Sequence, residues 1–142
     1  INKNKIVVFG GKQLRPNLHI KDYCGVIECL IKAPSDKIKD QIFNVGYQNL
    51  SIAEIANKVK KVVESYYPDK GNIEIETTPS DDNRSYHINS DKIKQELGFV
   101  PKLTIEDAVR DLCTAFKENR IPNSFEDDFY FNLKRLKRIN AK

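Results

Sequence analysis

The segment Leu14–Cys24 (LRPNLHIKDYC) sets a fixed cation, Arg15, four residues ahead of His19 and seven ahead of Asp22. Arginine keeps its proton at any physiological pH, and its planar fork matches the paired oxygens of phosphate. The sequence puts Arg15 on a loop after a short strand and just before a helix. Two readings follow: a phosphate-binding loop residue, or a surface arginine held by a nearby carboxylate. His19 and Asp22 either cap the coming helix or orient each other. A second cation, Arg84, stands in SDDNRSYHINSDKI behind Asp81 and Asp82. It either forms an internal ion pair, worth little if exposed, or acts as a second clamp on the same anion from a distant part of the chain. Asn44 closes an apolar run, where open α/β sheets place ligand contacts, or it opens a turn before Gly46.

The elements that must position these residues can be read from periodicity. KIVVF, ended by Gly10-Gly11, is a strand and turn. Tyr23, Val26, Ile27, Leu30 and Ile31 recur at helical spacing between about Ile20 and Ala33, and Pro34-Ser35 closes that helix. QIFNVGY is expected to be a buried strand ending at Asn44-Val45-Gly46. Ser51-Ile-Ala-Glu54 is a capping box, in which the serine hydroxyl and the glutamate carboxylate satisfy each other's backbone N–H groups. Ile52, Ile55, Val59 and Val62 continue along one helix face until Pro68-Asp69 and Gly71. NIEIETT alternates as a strand does. Ser90 is expected to cap a short helix, Lys92 to Leu97, that stops at Gly98. Thr104 opens a last long helix with a stripe of Ile105, Ala108, Val109, Leu112 and Phe116. Strands alternating with helices give α/β or α+β architecture.

The 142 residues hold 39% hydrophobic and 31% charged side chains with a net charge of +4, which suits a modest core and wet surfaces. No apolar run reaches the about 18 residues of a spanning helix, and no signal-peptide pattern opens the chain. The start at Ile1 reads as a fragment of a longer chain. Cys24, Cys29 and Cys113 lack CxxC spacing and fall in helical apolar patterns, so they are expected to be reduced core residues of a cytoplasmic protein. With only His19 and His87 to join them, no metal site is expected.

Four motifs, in order, carry a resemblance: Arg15, His19, Ile20 and Asp22; Asn44-Val45-Gly46; Ser51 to Glu54; and Lys92 to Pro101 with its Leu-Gly-Phe-x-Pro end. In order and spacing they resemble the C-terminal half of the extended short-chain dehydrogenase/reductases. These are NAD-dependent nucleotide-sugar epimerases and dehydratases typified by UDP-galactose 4-epimerase and dTDP-glucose 4,6-dehydratase. The resemblance implies a mixed α/β fragment: residues 1–122 as the substrate-binding portion of an extended Rossmann-type enzyme, and 123–142 as a C-terminal tail or surface helix. It implies that Arg15 binds the diphosphate of a nucleotide sugar and that Asn44 hydrogen-bonds the nucleotide or diphosphate. The Pro79–Arg84 loop, with Asp82 and Arg84, would close over the nucleotide end, while His19 and Asp22 support the loop without reacting. The family's arginine just before that loop is absent from Thr78-Pro79-Ser80, and Arg84 is the candidate replacement.

The cofactor, NAD or NADP, is implied to bind the half that would precede Ile1. None of the six glycines here forms GxGxxG or GxxGxxG. A catalytic Tyr-x-x-x-Lys pair is matched formally by Tyr66…Lys70 and Tyr130…Lys134, both expected from chance. No catalytic or cofactor-binding residue is therefore assigned here, and the segment alone is expected to be inactive. Expected partners are an NDP-sugar, the N-terminal half and, when complete, a second subunit, with no nucleic acid and no membrane. Two competing readings remain: a basic nucleic-acid- or phosphate-binding module, and a structural piece whose cognate half is a separate chain. Scattered charge and the lack of a helix-turn-helix, RRM or KH signature weigh against the first.

Overall fold

The computed structural model describes residues 3–82 and 84–140. They fall into two compact units, Ile1–Asp111 and Leu112–Lys142. The first holds β1 (Lys5–Phe9), β2 (Leu14–Asn17), α1 (Ile20–Lys32), a single turn α2 (Ser35–Ile38), β3 (Gln48–Ser51), α3 (Ile52–Tyr66), β4 (Glu74–Thr78) and α4 (Asp91–Leu97). Helix α5 (Ile105–Lys117) runs through the division, and the second unit ends with α6 (Asn132–Arg138).

Two small sheets organise the first unit. β1 and β4 pair in parallel from Lys5–Glu74 to Phe9–Thr78. β2 and β3 pair antiparallel, with Leu14 opposite Ser51 and Asn17 opposite Gln48. Helix α3 packs on β1 and β3. Its first N–H groups find acceptors outside the helix: Ile52 donates to the Gln13 carbonyl at 3.1 Å and Ala53 to the Gly11 carbonyl at 3.0 Å. The capping box forms as expected, with Glu54 N–H donating to Ser51 Oγ at 3.2 Å and Ser51 N–H to Glu54 Oε2 at 2.8 Å. The start of α3 is therefore tied to the β1–β2 turn as well as to itself.

The buried apolar side chains of this unit include Val8 on β1, Val26 on α1, Ala56 and Val63 on α3, and Ile93 on α4. Helix α1 buries only part of its apolar stripe. Ile20, Tyr23, Ile27 and Ile31 are 67%, 53%, 43% and 78% exposed. At its start, the Asp22 carboxylate accepts the N–H groups of Lys102 and Leu103 at 2.9 and 2.8 Å, pinning α1 to the segment before α5.

Three expectations need correction. QIFNVGY is no strand: 41–46 run as irregular chain, Ile42 is 82% exposed, and the strand lies later, at β3. A buried strand needs ladder partners on its flanks, and among the described residues none stands beside 41–46. Ser90 occupies the cap position of α4 without capping it, because its hydroxyl is spent on Gly46. Finally, the cysteines are all free, but only Cys113 is buried; Cys24 is exposed.

Candidate functional site

The site begins at the Gly10-Gly11 turn. Both glycines take positive φ, 78° and 114°, and a Cβ on Gly10 would lie 2.4 Å from the Gln13 amide nitrogen. Glycine is what lets the Gln13 side chain fold back beneath the turn. There it is 8% exposed and fully engaged. Oε1 accepts the Gly11 N–H at 2.7 Å, while Nε2 donates to the Phe9 carbonyl at 3.1 Å and to the Asp82 carbonyl at 2.9 Å. One buried amide thus joins the β1–β2 turn to a loop 69 residues away.

Further along, the same loop is laid against β2. Leu14 N–H donates to Ser85 Oγ at 3.1 Å, and Tyr86 N–H donates to the Leu14 carbonyl at 3.1 Å. Asn83, within this loop, lies outside the described residues.

These ties bring Arg15 and Arg84 to one place. Arg15 Nη1 donates to the Arg84 carbonyl at 2.6 Å and to the Leu14 carbonyl at 2.9 Å. Its Nη2 faces Asp82 Oδ2 at 3.5 Å, and its guanidinium stacks 5.2 Å from the Tyr86 ring centre. Arg84 grips the same carboxylate bidentately, Nε to Oδ1 at 2.7 Å and Nη2 to Oδ2 at 2.9 Å. The Arg84 hydrogen bonds, with Arg15's charge as a lesser cause, hold the Asp82 carboxyl down to about 2. Arg15 is mostly covered, its side chain 28% exposed, whereas Arg84 is 72% exposed. A mostly covered cation and an exposed one therefore share one carboxylate. Beside them, Gly10, Lys12, Gln13 and Ser85 line an open hollow of about 200 Å³.

Arg15 itself lies in strand β2 and not on the loop expected for it. Its guanidinium is fixed by a paired backbone, which makes it the more rigid half of the clamp. Asn44 is exposed in the irregular 41–46 segment and takes no part in the contacts that join Arg15, Asp82 and Arg84. His19 caps α1, its Nδ1 accepting the Lys21 N–H at 3.1 Å, and its Nε2 lies 3.5 Å from Asp111. The sequence reading missed Gln13, Ser85 and Tyr86. The paired glycines were the available signal for Gln13, since they mark a close approach.

Neither Tyr-x-x-x-Lys match lies on one helix. Tyr66 ends α3 while Lys70 stands in the 3₁₀ turn Pro68–Lys70, and Tyr130 precedes α6 while Lys134 is within it. The described residues also do not fit a dinucleotide. The paired-glycine turn leads into a strand, and its Gly11 N–H is already taken by Gln13. Among the described residues no group of three His, Cys, Asp or Glu is placed to hold a metal ion, and no helix is long and apolar enough to cross a membrane.

No family model matches the sequence. Solved structures share the fold, among them L-threonine dehydrogenases and epimerases. L-threonine dehydrogenase from Phytophthora infestans superposes with a TM-score of 0.66 over 82% of this chain, at 15% identity. RMD from Pseudomonas aeruginosa, complexed with NADPH, gives 0.63 over 82% at 16% identity. UDP-N-acetylglucosamine 4-epimerase from Bacillus cereus gives 0.63 over 80% at 19% identity. The chain spans 38%, 37% and 38% of those three chains, less than half of each. At such identities the likeness is one of fold. The expected fold class stands: a mixed α/β fold shared with part of these larger Rossmann-type structures.

Proposed function

We propose that this chain is the substrate-binding portion of an NAD- or NADP-dependent nucleotide-sugar epimerase or dehydratase of the extended short-chain dehydrogenase/reductase family. In this reading Arg15 and Arg84 grip the diphosphate of an NDP-hexose, Asp82 lies in the same cluster, and Asn44 meets the nucleotide from the 41–46 segment. The observation that carries it is the convergence of Arg15 and Arg84, 69 residues apart, on one carboxylate. Two guanidinium groups meeting on one carboxylate support a shared grip on a pyrophosphate. The nicotinamide cofactor would belong to the other half of the enzyme, and no step of hydride transfer is assigned to the residues present here. The complete enzyme would be a cytoplasmic homodimer.

Titration calorimetry of the purified chain with UDP tests the reading. Binding at micromolar to millimolar concentration is expected, and Arg15→Gln should weaken it about tenfold or more, the loss of charge-assisted hydrogen bonds. If neither UDP nor pyrophosphate binds, the reading fails. With added NAD and a nucleotide sugar, the chain alone should show no turnover.

A further inference from the structure

We propose that Asp82 is a built-in competitor for the anion site and sets its selectivity for a diphosphate over a single phosphate. The inference rests on the reading above and adds a role for one residue.

The Asp82 carboxylate sits where an anionic ligand group would. Its Oδ1 accepts from Arg84 Nε at 2.7 Å and from the Arg84 backbone N–H at 3.2 Å. Its Oδ2 accepts from Arg84 Nη2 at 2.9 Å and faces Arg15 Nη2 at 3.5 Å. Three hydrogen bonds and an ion pair on two oxygens are what an oxyanion of a ligand would otherwise receive. The backbone of Asp82 is anchored separately, its carbonyl taken by Gln13 and its N–H donating to Ser80 Oγ at 3.2 Å. The side chain can therefore leave without the loop unravelling. It is also open to solvent, since the Asp82 side chain is 37% and that of Arg84 72% exposed, and an exposed ion pair is screened and adds little stability.

Selectivity follows from charge counting. A ligand with one phosphate replaces one internal anion with another and gains little. A pyrophosphate places a phosphate on each guanidinium, so it gains a contact that Asp82 cannot make. Removing the carboxylate should help the weaker competitor most.

The experiment compares the wild-type chain with Asp82→Asn and Asp81→Asn. Asp81→Asn makes the same change in net charge and leaves the clamp intact. Inorganic phosphate, pyrophosphate and UDP are titrated into each, with circular dichroism to establish the fold and Asp82→Ser as the substitute should Asp82→Asn misfold. Asp82→Asn is expected to bind pyrophosphate about three- to tenfold tighter and inorganic phosphate by a larger factor, with less than about twofold change in Asp81→Asn, the scale of an exposed ion pair. If the wild type binds pyrophosphate and Asp82→Asn binds it equally or more weakly, Asp82 is a ligand contact or a bystander, and the competitor role is overturned alone. If no variant binds pyrophosphate or UDP, the anion site and its competitor fall together.

Discussion

The carboxamide of Asn49 closes on both backbone groups of Ile88: Nδ2 donates to the Ile88 carbonyl at 2.9 Å and Oδ1 accepts the Ile88 N–H at 2.9 Å. One side chain on β3 thus acts as an extra strand residue for the loop that carries Asp82, Arg84 and Tyr86.

Asn49→Asp keeps the shape and removes the donor. It leaves the Ile88 carbonyl facing a carboxylate, which should destabilise the fold by about 1–3 kcal/mol, the cost of an unsatisfied polar pair. Urea denaturation should show a lower midpoint with an unchanged slope. Anion affinity should fall as well, because Arg84 loses its anchored loop.

Gly10→Ala tests the turn beneath the site. The substitution sets a side chain at φ 78° and drives it into Gln13. A loss of about 1 kcal/mol or more is expected from the backbone strain alone. The Asp82 loop should also loosen, read as faster amide hydrogen exchange at Tyr86.

Ser51→Ala removes one half of the capping box while leaving β3 intact. Thermal unfolding should reveal a loss of about 1 kcal/mol, with the anion site unaffected at temperatures below the transition. A change in pyrophosphate affinity at 25 °C would show that the α3 start reaches the clamp.

The Asp82 carboxyl, held near 2, gives a pH prediction. Its folded value lies below the ordinary 3.8, so its contribution to stability is fully present above that value and is lost as pH falls towards about 2. Carboxyl carbon NMR should find the Asp82 midpoint near 2. In Arg84→Ala the midpoint should rise towards the ordinary range, because Arg84 is the main cause of the depression.

Local signals were legible where chemistry and periodicity agree. Ser51 and Glu54 announced the α3 start, and the NIEIETT alternation announced β4. β2 and β3 were not legible, because LRPN and QNLS lack alternation and Pro16 argues against a strand interior. The apolar run before Tyr47 misled for a physical reason: a strand exists only in a ladder, and a single sequence does not state who the neighbour is. Residue type alone suggests that Arg15 and Arg84 could meet; their sequence spacing does not state it. The paired glycines mark a close approach at Gln13, but nothing in the sequence states that its amide reaches the Asp82 loop.

The apolar stripe of α1 has a thermodynamic consequence. Ile20, Tyr23, Ile27 and Ile31 expose apolar surface, so any burial of it will carry a marked negative heat-capacity change. Occupation of the guanidinium pair should instead respond to ionic strength, with little change in heat capacity. Calorimetry at several temperatures and salt concentrations would thereby separate the two kinds of event in one sample.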